Sequence, residues 1–267
     1  MFTSFCKNTQ LTLVLLLTIV TFNASAQKLP NKQEKSIPAP AKVKIDGKAD
    51  EWTFQAYNNA TDVFYTVAHD ADNIYLAVKA TDEYIARKIL SGGITFCVNN
   101  PGKKSDEGAV TIRYPLFNYK NKPAVRFSLK NVPSDSVDYI VSANNKSLAN
   151  KGKFLRTAGI KGVDTLLSVY NTDGINVASG FDKEMHYIYE LSVSRKLISD
   201  AVTPDGKIAY KIVLNPISMD DTPGVTINRD ANGTIMSLYV NKTNLPLNPN
   251  MSISVLTDIS GEYVLTK

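Results

Sequence analysis

The chain has 267 residues, 43% of them hydrophobic, with 30 Lys and Arg against 25 Asp and Glu for a formal charge of +5. Its cysteines are Cys6, in an apparent leader, and Cys97; one remaining Cys excludes an intramolecular disulfide in an exported chain and leaves stability to packing. Lysines cluster over Lys28–Lys48 and Lys146–Lys161 without interleaved aromatics, which excludes a nucleic-acid surface; solvated loops or attraction to an anionic surface or polysaccharide stay open.

The first residues read as a targeting segment. Lys7 gives a positive start, Leu11–Val20 is apolar apart from Thr12 and Thr18, and Ala24-Ser25-Ala26 supplies the small-x-small pattern of a signal-peptidase site. Cleavage is expected before Gln27, so 1–26 is a signal peptide and the mature chain is exported, to the periplasm or outside the cell. The apolar run is shorter than the about 20 residues that a spanning helix needs, and no later stretch is apolar enough to span. Cys6 precedes the apolar core, where a lipid-bearing Cys would not lie. Residues 27–41 are polar and end Ile37-Pro38-Ala39-Pro40, the composition of an extended, flexible segment.

From Lys42 onward, short runs of β-branched and aromatic residues alternate with Asn, Asp, Gly and Pro. Strands are predicted over Lys42–Ile45, Asp62–His69, Asn73–Ala80, Gly93–Asn99, Ala109–Pro115, Ala124–Lys130, Ser136–Ser142, Asp164–Tyr170, His186–Ser194, Gly206–Leu214, Ile235–Val240 and Met251–Asp258. Ile74, Leu76 and Val78 should share one sheet face, with Tyr75 and Ala77 on the other. A two-turn helix is predicted over Asp82–Leu90, with Asp82 as N-cap and Ser91-Gly92-Gly93 ending it, and one more turn over Ser194–Ser199. The Lys-, Asn- and Gly-rich region 101–181 reads as hairpins and long loops of the same domain. The fold class is therefore all-β: two packed antiparallel sheets or a barrel, as a single domain over 42–267.

Individual residues have readings that need no ligand. Asp46-Gly47 suits a tight turn, with the Asp side chain bonding its own backbone and Gly taking φ > 0. Trp52, the sole Trp, can seal one end of the sandwich provided that its N–H finds a partner. Asp70-Ala71-Asp72 is a good hairpin connection, and Asp70 with Asp72 is also a candidate calcium site, as is the pair Asp220-Asp221. Cys97 sits in an apolar run and is expected to be a buried, inert thiol. His69 and His186, the only histidines, lie beside apolar residues in predicted strands, and no Cys/His spacing suggests a metal site.

Four blocks carry a family likeness: Ile45-Asp46-Gly47 with Asp50-Glu51-Trp52; the run from His69 to Asp82; the run from His186 to Val193; and the run from Gly206 to Asn215. Together they make the chain resemble carbohydrate-binding module family 9 and the DOMON-like β-sandwiches. The resemblance implies an immunoglobulin-like antiparallel sandwich that can bind a polysaccharide or oligosaccharide, sometimes with structural Ca2+; a monomer that requires no cofactor is expected. Sugar-binding members of that family clamp the ligand between two tryptophans. Here the first of those places reads Lys88-Ile89-Leu90-Ser91-Gly92, and Met219–Leu238 holds no Trp. A flat platform would then come from Tyr84, Tyr114, Phe117, Tyr119 or Tyr239.

Neither a Gly-x-Ser-x-Gly elbow nor a phosphate-cradling Gly-rich loop is present. The expectation is a non-catalytic glycan-binding or cell-surface-binding domain. A structural or adhesion sandwich, and a glycoside-active enzyme using a carboxylate pair, stay open beside it.

Overall fold

The computed structural model describes residues 28–103, 107–117, 121–216, 225–240 and 255–265. Two antiparallel sheets pack face to face, as the alternation predicts. The five-stranded sheet runs β1 (Ala56–Asn58), β2 (Val63–His69), β3 (Asn73–Ala80), β9 (Tyr187–Ser194), β8 (Ile175–Phe181). The six-stranded sheet runs β13 (Thr257–Val264), β10 (Lys207–Leu214), β4 (Ile94–Asn99), β5 (Val110–Tyr114), β6 (Phe154–Ala158), β7 (Leu166–Ser168). A separate hairpin joins β11 (Val225–Arg229) to β12 (Ile235–Val240). Helix α1 is Glu83–Gly92 and α2 is Val137–Lys151; 3-10 turns occupy Ser134–Ser136 and Arg195–Ala201.

Period-two alternation explains the main core. Val63, Tyr65 and Val67 of β2, Ile74, Leu76 and Val78 of β3, and Tyr189, Leu191 and Val193 of β9 meet Phe96, Ile112, Tyr210, Ile212 and Ile259 of the opposite sheet, all buried. Burying a side chain of this size is worth about 1.5–3 kcal/mol, so this layer outweighs any surface ion pair. Tyrosines also link the sheets: the Tyr65 and Tyr210 hydroxyls lie 3.4 Å apart, and Tyr263 Oη lies 2.9 Å from His69 Nδ1. Helix α1 closes one end with Ile85, Ile89 and Leu90. Asp82 caps it as predicted, accepting from the N–H groups of Tyr84 (2.8 Å) and Ile85 (3.1 Å).

The outward face of the five-stranded sheet is not open to solvent. Trp52, Ala68, Tyr75 and Ala77 form a second apolar cluster, covered by Ile37, Ala39, Val43, Ile45, Ala49 and Phe54. Trp52 therefore seals this face and not an end of the sandwich. The segment 27–41, expected to be flexible, is docked wherever it is described. Gln33 accepts from Val67 N–H at 2.7 Å and donates to Val67 C=O at 2.8 Å. Further along, Ala39 N–H donates to His69 C=O and His69 N–H to Ile37 C=O, so the exposed edge of β2 is covered. Two other carboxamides close the same two-bond ring on a peptide, Asn144 on Arg126 and Asn145 on Phe181.

Other boundaries differ from the sequence reading. Lys42–Ile45 is a loop, with Val43 and Ile45 packed on the outer cluster of the five-stranded sheet. Ala124–Lys130 forms no strand and joins no ladder. Ser136–Ser142 lies in the Ser134–Ser136 turn and helix α2, whose buried positions, Asn144 and Leu148, recur at the helical four-residue spacing. Strands β1, β6, β8 and β11 were not predicted. Of the predicted Met251–Asp258, residues 251–254 lie outside the described residues, and the strand that follows runs Thr257–Val264.

Gln33 holds an edge that water would otherwise contest. Gln33→Ala should lower stability by about 1–2 kcal/mol, read as a lower urea midpoint with an unchanged m-value.

Candidate functional site: a cleft under the Asp46–Trp52 turn

The site is built around one carboxylate. Glu190 stands on β9, pointing away from the main core, fully buried beneath the covering segment. Trp52 Nε1–H donates to its Oε1 at 2.7 Å; Gly47 N–H (2.7 Å) and Asp46 N–H (3.1 Å) donate to its Oε2. Burial pushes this carboxyl up to about 7; the Trp52, Gly47 and Asp46 donors offset part of that, and the nearby Glu51 charge adds to it.

The turn adopts its expected local chemistry. Asp46 Oδ1 accepts from Lys48 N–H at 3.1 Å. Gly47 has φ +83°, and a Cβ there would lie 2.7 Å from the Ser179 carbonyl; a Cβ on Gly180 would lie 2.5 Å from Gly47 O. The turn thus rests backbone on backbone against β8, which only glycine allows at these two positions. Trp52 packs on Tyr75 with ring centroids 6.0 Å apart.

This anchored turn forms one wall of a cleft of about 610 Å³. Trp52 and Phe54 from the turn, Ile188 from β9 and Phe181 from β8 give it apolar surface; Val141 and Asn145 of α2 form the facing wall. Three ammonium groups, Lys48, Lys79 and Lys183, and three carboxylates, Asp50, Asp182 and Glu184, stand around it. Beside it runs an aromatic shelf: Phe54 and Tyr57 flank Phe64 at 6.2 and 4.8 Å, and Lys79 Nζ lies 5.0 Å from the Phe54 centroid and 5.2 Å from that of Phe64.

At the rim, the 182–186 turn gathers three groups that sequence spacing did not suggest. Asp182 Oδ1 accepts from the N–H groups of Glu184 (3.0 Å) and His186 (2.8 Å), and its Oδ2 lies 2.9 Å from His186 Nδ1. Ligand atoms of Asp182, Glu184 and His186 fall within 4.8 Å of one another, the one such metal-compatible group among the described residues. His186 precedes β9 and is not part of it, which frees the ring to meet Asp182.

The predicted site residues do not assemble elsewhere. Tyr114 is 3% exposed, inside the main core, so it offers no stacking face. Phe117 is partly buried and packs on that core. Tyr84 is 44% exposed on α1 and Tyr239 65% exposed on the β11–β12 hairpin, on separate elements. Tyr119 and the pair Asp220-Asp221 lie outside the described residues. Asp70 serves the hairpin: Oδ1 accepts from the N–H groups of Asp72 (2.8 Å) and Asn73 (2.7 Å), Oδ2 from the Tyr75 hydroxyl (2.6 Å). Burial pushes the Asp70 carboxyl up, but the Tyr75 hydroxyl and the two amides outweigh it and hold the group below its ordinary value. Neither Asp70 nor Asp72 joins the metal-compatible group. Of the structural motif, Asp46, Gly47 and Trp52 meet on Glu190, and Asp50 lines the cleft.

Because Glu190 has a higher pKa folded than its ordinary 4.5, its contribution to stability is fullest below about 4.5 and is lost as pH rises through about 7. Urea midpoints measured across this window should fall with rising pH, and Glu190→Gln should remove that slope. At the acid end, where Glu190 is itself neutral and carries an O–H on one oxygen, the variant should match the unmodified chain within about 1 kcal/mol. No protein-family model matches this chain, and no curated protein matches it.

Proposed function

We propose that the chain is an exported, non-catalytic domain that binds a polysaccharide or oligosaccharide in the cleft beside the Asp46–Trp52 turn. The observation that carries the reading is the lining: apolar rings together with three ammonium and three carboxylate groups, in a space of about 610 Å³. A sugar presents C–H faces that pack on rings, and hydroxyls that accept from ammonium groups and donate to carboxylates. Equal numbers of positive and negative groups suit such a neutral, hydroxyl-rich ligand. The likeness of the Asp46–Trp52 and His69–Asp82 blocks to carbohydrate-binding module family 9 and the DOMON-like sandwiches points the same way, with Phe54 and Phe64 in place of the family's tryptophan clamp. The reading requires no cofactor and places the working chain in the periplasm or outside the cell.

A second reading, a glycoside-active enzyme, draws on the Asp182 and Glu184 carboxylates at the rim. The described geometry favours binding, since both Asp182 oxygens already serve the 182–186 turn and His186.

Affinity electrophoresis against a panel of soluble polysaccharides tests this. At least one polymer should retard the protein, and Phe54→Ala or Lys79→Ala should weaken that retention about tenfold while leaving the Glu190 anchor in place. Retention by none of them, or retention indifferent to both changes, would refute the cleft as a glycan site. Hydrolysis of chromogenic glycosides that is lost with Glu184→Gln would select the enzyme reading instead.

A further inference from the structure

A second cavity, of about 600 Å³, opens between the β4–β5 loop, the β6–β7 loop and the 3-10 turn that follows β9. Its charge differs from that of the first. Among the described residues, Lys103, Lys161 and Lys196 line it against one carboxylate, Asp200, a formal +2, whereas the cleft under the turn balances three against three. Lys161 Nζ meets Asp200 Oδ2 at 3.0 Å and ties two of the walls together. No ion pair joins Lys103 or Lys196 to a carboxylate among the described residues. Lys103 turns back over its own loop, with Nζ 3.7 Å from where a Cβ on Gly108 (φ +72°) would sit. The floor is apolar, from Val110, Ile160 and Leu197.

Cations held around one concavity with apolar walls raise the local concentration of anions, since the walls weaken screening and focus the field. Two ammonium groups that line one cavity and have no ion pair among the described residues can each meet one negative group of a ligand that bears two. A monovalent ion satisfies only one. The space is too large for a lone ion and suits a molecule of a few linked units.

We propose that this pocket binds a small polyanion, a molecule with two or more phosphate, sulfate or carboxylate groups, held by Lys103 and Lys196. The site is separate from the glycan cleft and does not rest on that reading. Its anions could come from phosphorylated compounds or from acidic saccharides, which share the oxyanion chemistry.

Calorimetric titration of the purified protein with inorganic pyrophosphate and with trigalacturonate distinguishes these sources. One-to-one, saturable binding of at least one probe is expected, weakening as salt is raised. The surface variant Lys103→Ala/Lys196→Ala should bind that probe about tenfold more weakly. A control of equal charge change elsewhere, Lys130→Ala/Lys146→Ala, should leave the affinity unchanged. Pyrophosphate alone binding assigns phosphate chemistry, and trigalacturonate alone assigns acidic saccharides. Absence of saturable binding by either probe overturns the proposal. So does equal weakening in both double variants, or no weakening in the first.

Discussion

The fold's outer architecture depends on one buried carboxylate. Glu190 collects three N–H donors from a single turn, and those donors fix the turn of the covering segment onto the five-stranded sheet. Without an acceptor there, Trp52 Nε1–H and the Gly47 amide would be buried and unsatisfied, at about 1–3 kcal/mol each. Desolvating the carboxylate opposes this, and the two effects leave a group poised between its charged and neutral forms near neutral pH. The balance is a local one; the inter-sheet core does not need it.

That core is held differently. Both faces of β3 and β9 are covered, one by the opposite sheet and the other by the docked segment, so these strands are buried nearly throughout. The inner face is a layer of aliphatic residues and tyrosines; the outer face sets Ala68 and Ala77 beside Tyr75, with Trp52 packed on that ring. Small side chains at Ala68, Ala77 and Gly180 let the covering chain approach closely. Whatever the cleft binds, its turn wall is fixed to the most buried strands of the domain, and rigid placement of that kind favours selective recognition.

How much of this was legible follows from which interactions are local. The β2–β3 hairpin, the Asp82 cap and the limits of β10 were readable because alternation, Asx chemistry and glycine stops lie within a few residues of one another. Helix α2 was not, since Val137, Tyr139, Ile140 and Val141 read as a strand when the four-residue recurrence of Asn144 and Leu148 goes unweighed. Strand β8 was hidden because its outward side is Asn176, Ala178 and Gly180, with Gly180 fitted beneath Gly47, a demand made by a segment more than a hundred residues away in sequence. Glu190 alternates with Tyr189 and Leu191, and only the docking of the segment buries the face it stands on. The candidate cleft draws Phe54, Lys79, Val141, Asp182 and Ile188 from separate elements, and no spacing rule links them. The aromatics picked from sequence were chosen by residue type alone, which cannot separate the buried Tyr114 from the exposed Tyr239.

The central claim is that Glu190 anchors the turn through Trp52, and the chain's single Trp makes that directly visible. Proton NMR of the Trp52 indole N–H, followed with pH, is the measurement. The account predicts one downfield resonance that exchanges slowly with water and whose shift titrates with a midpoint of about 7. A resonance at the position of a solvent-exposed indole, exchanging fast and indifferent to pH, would contradict it.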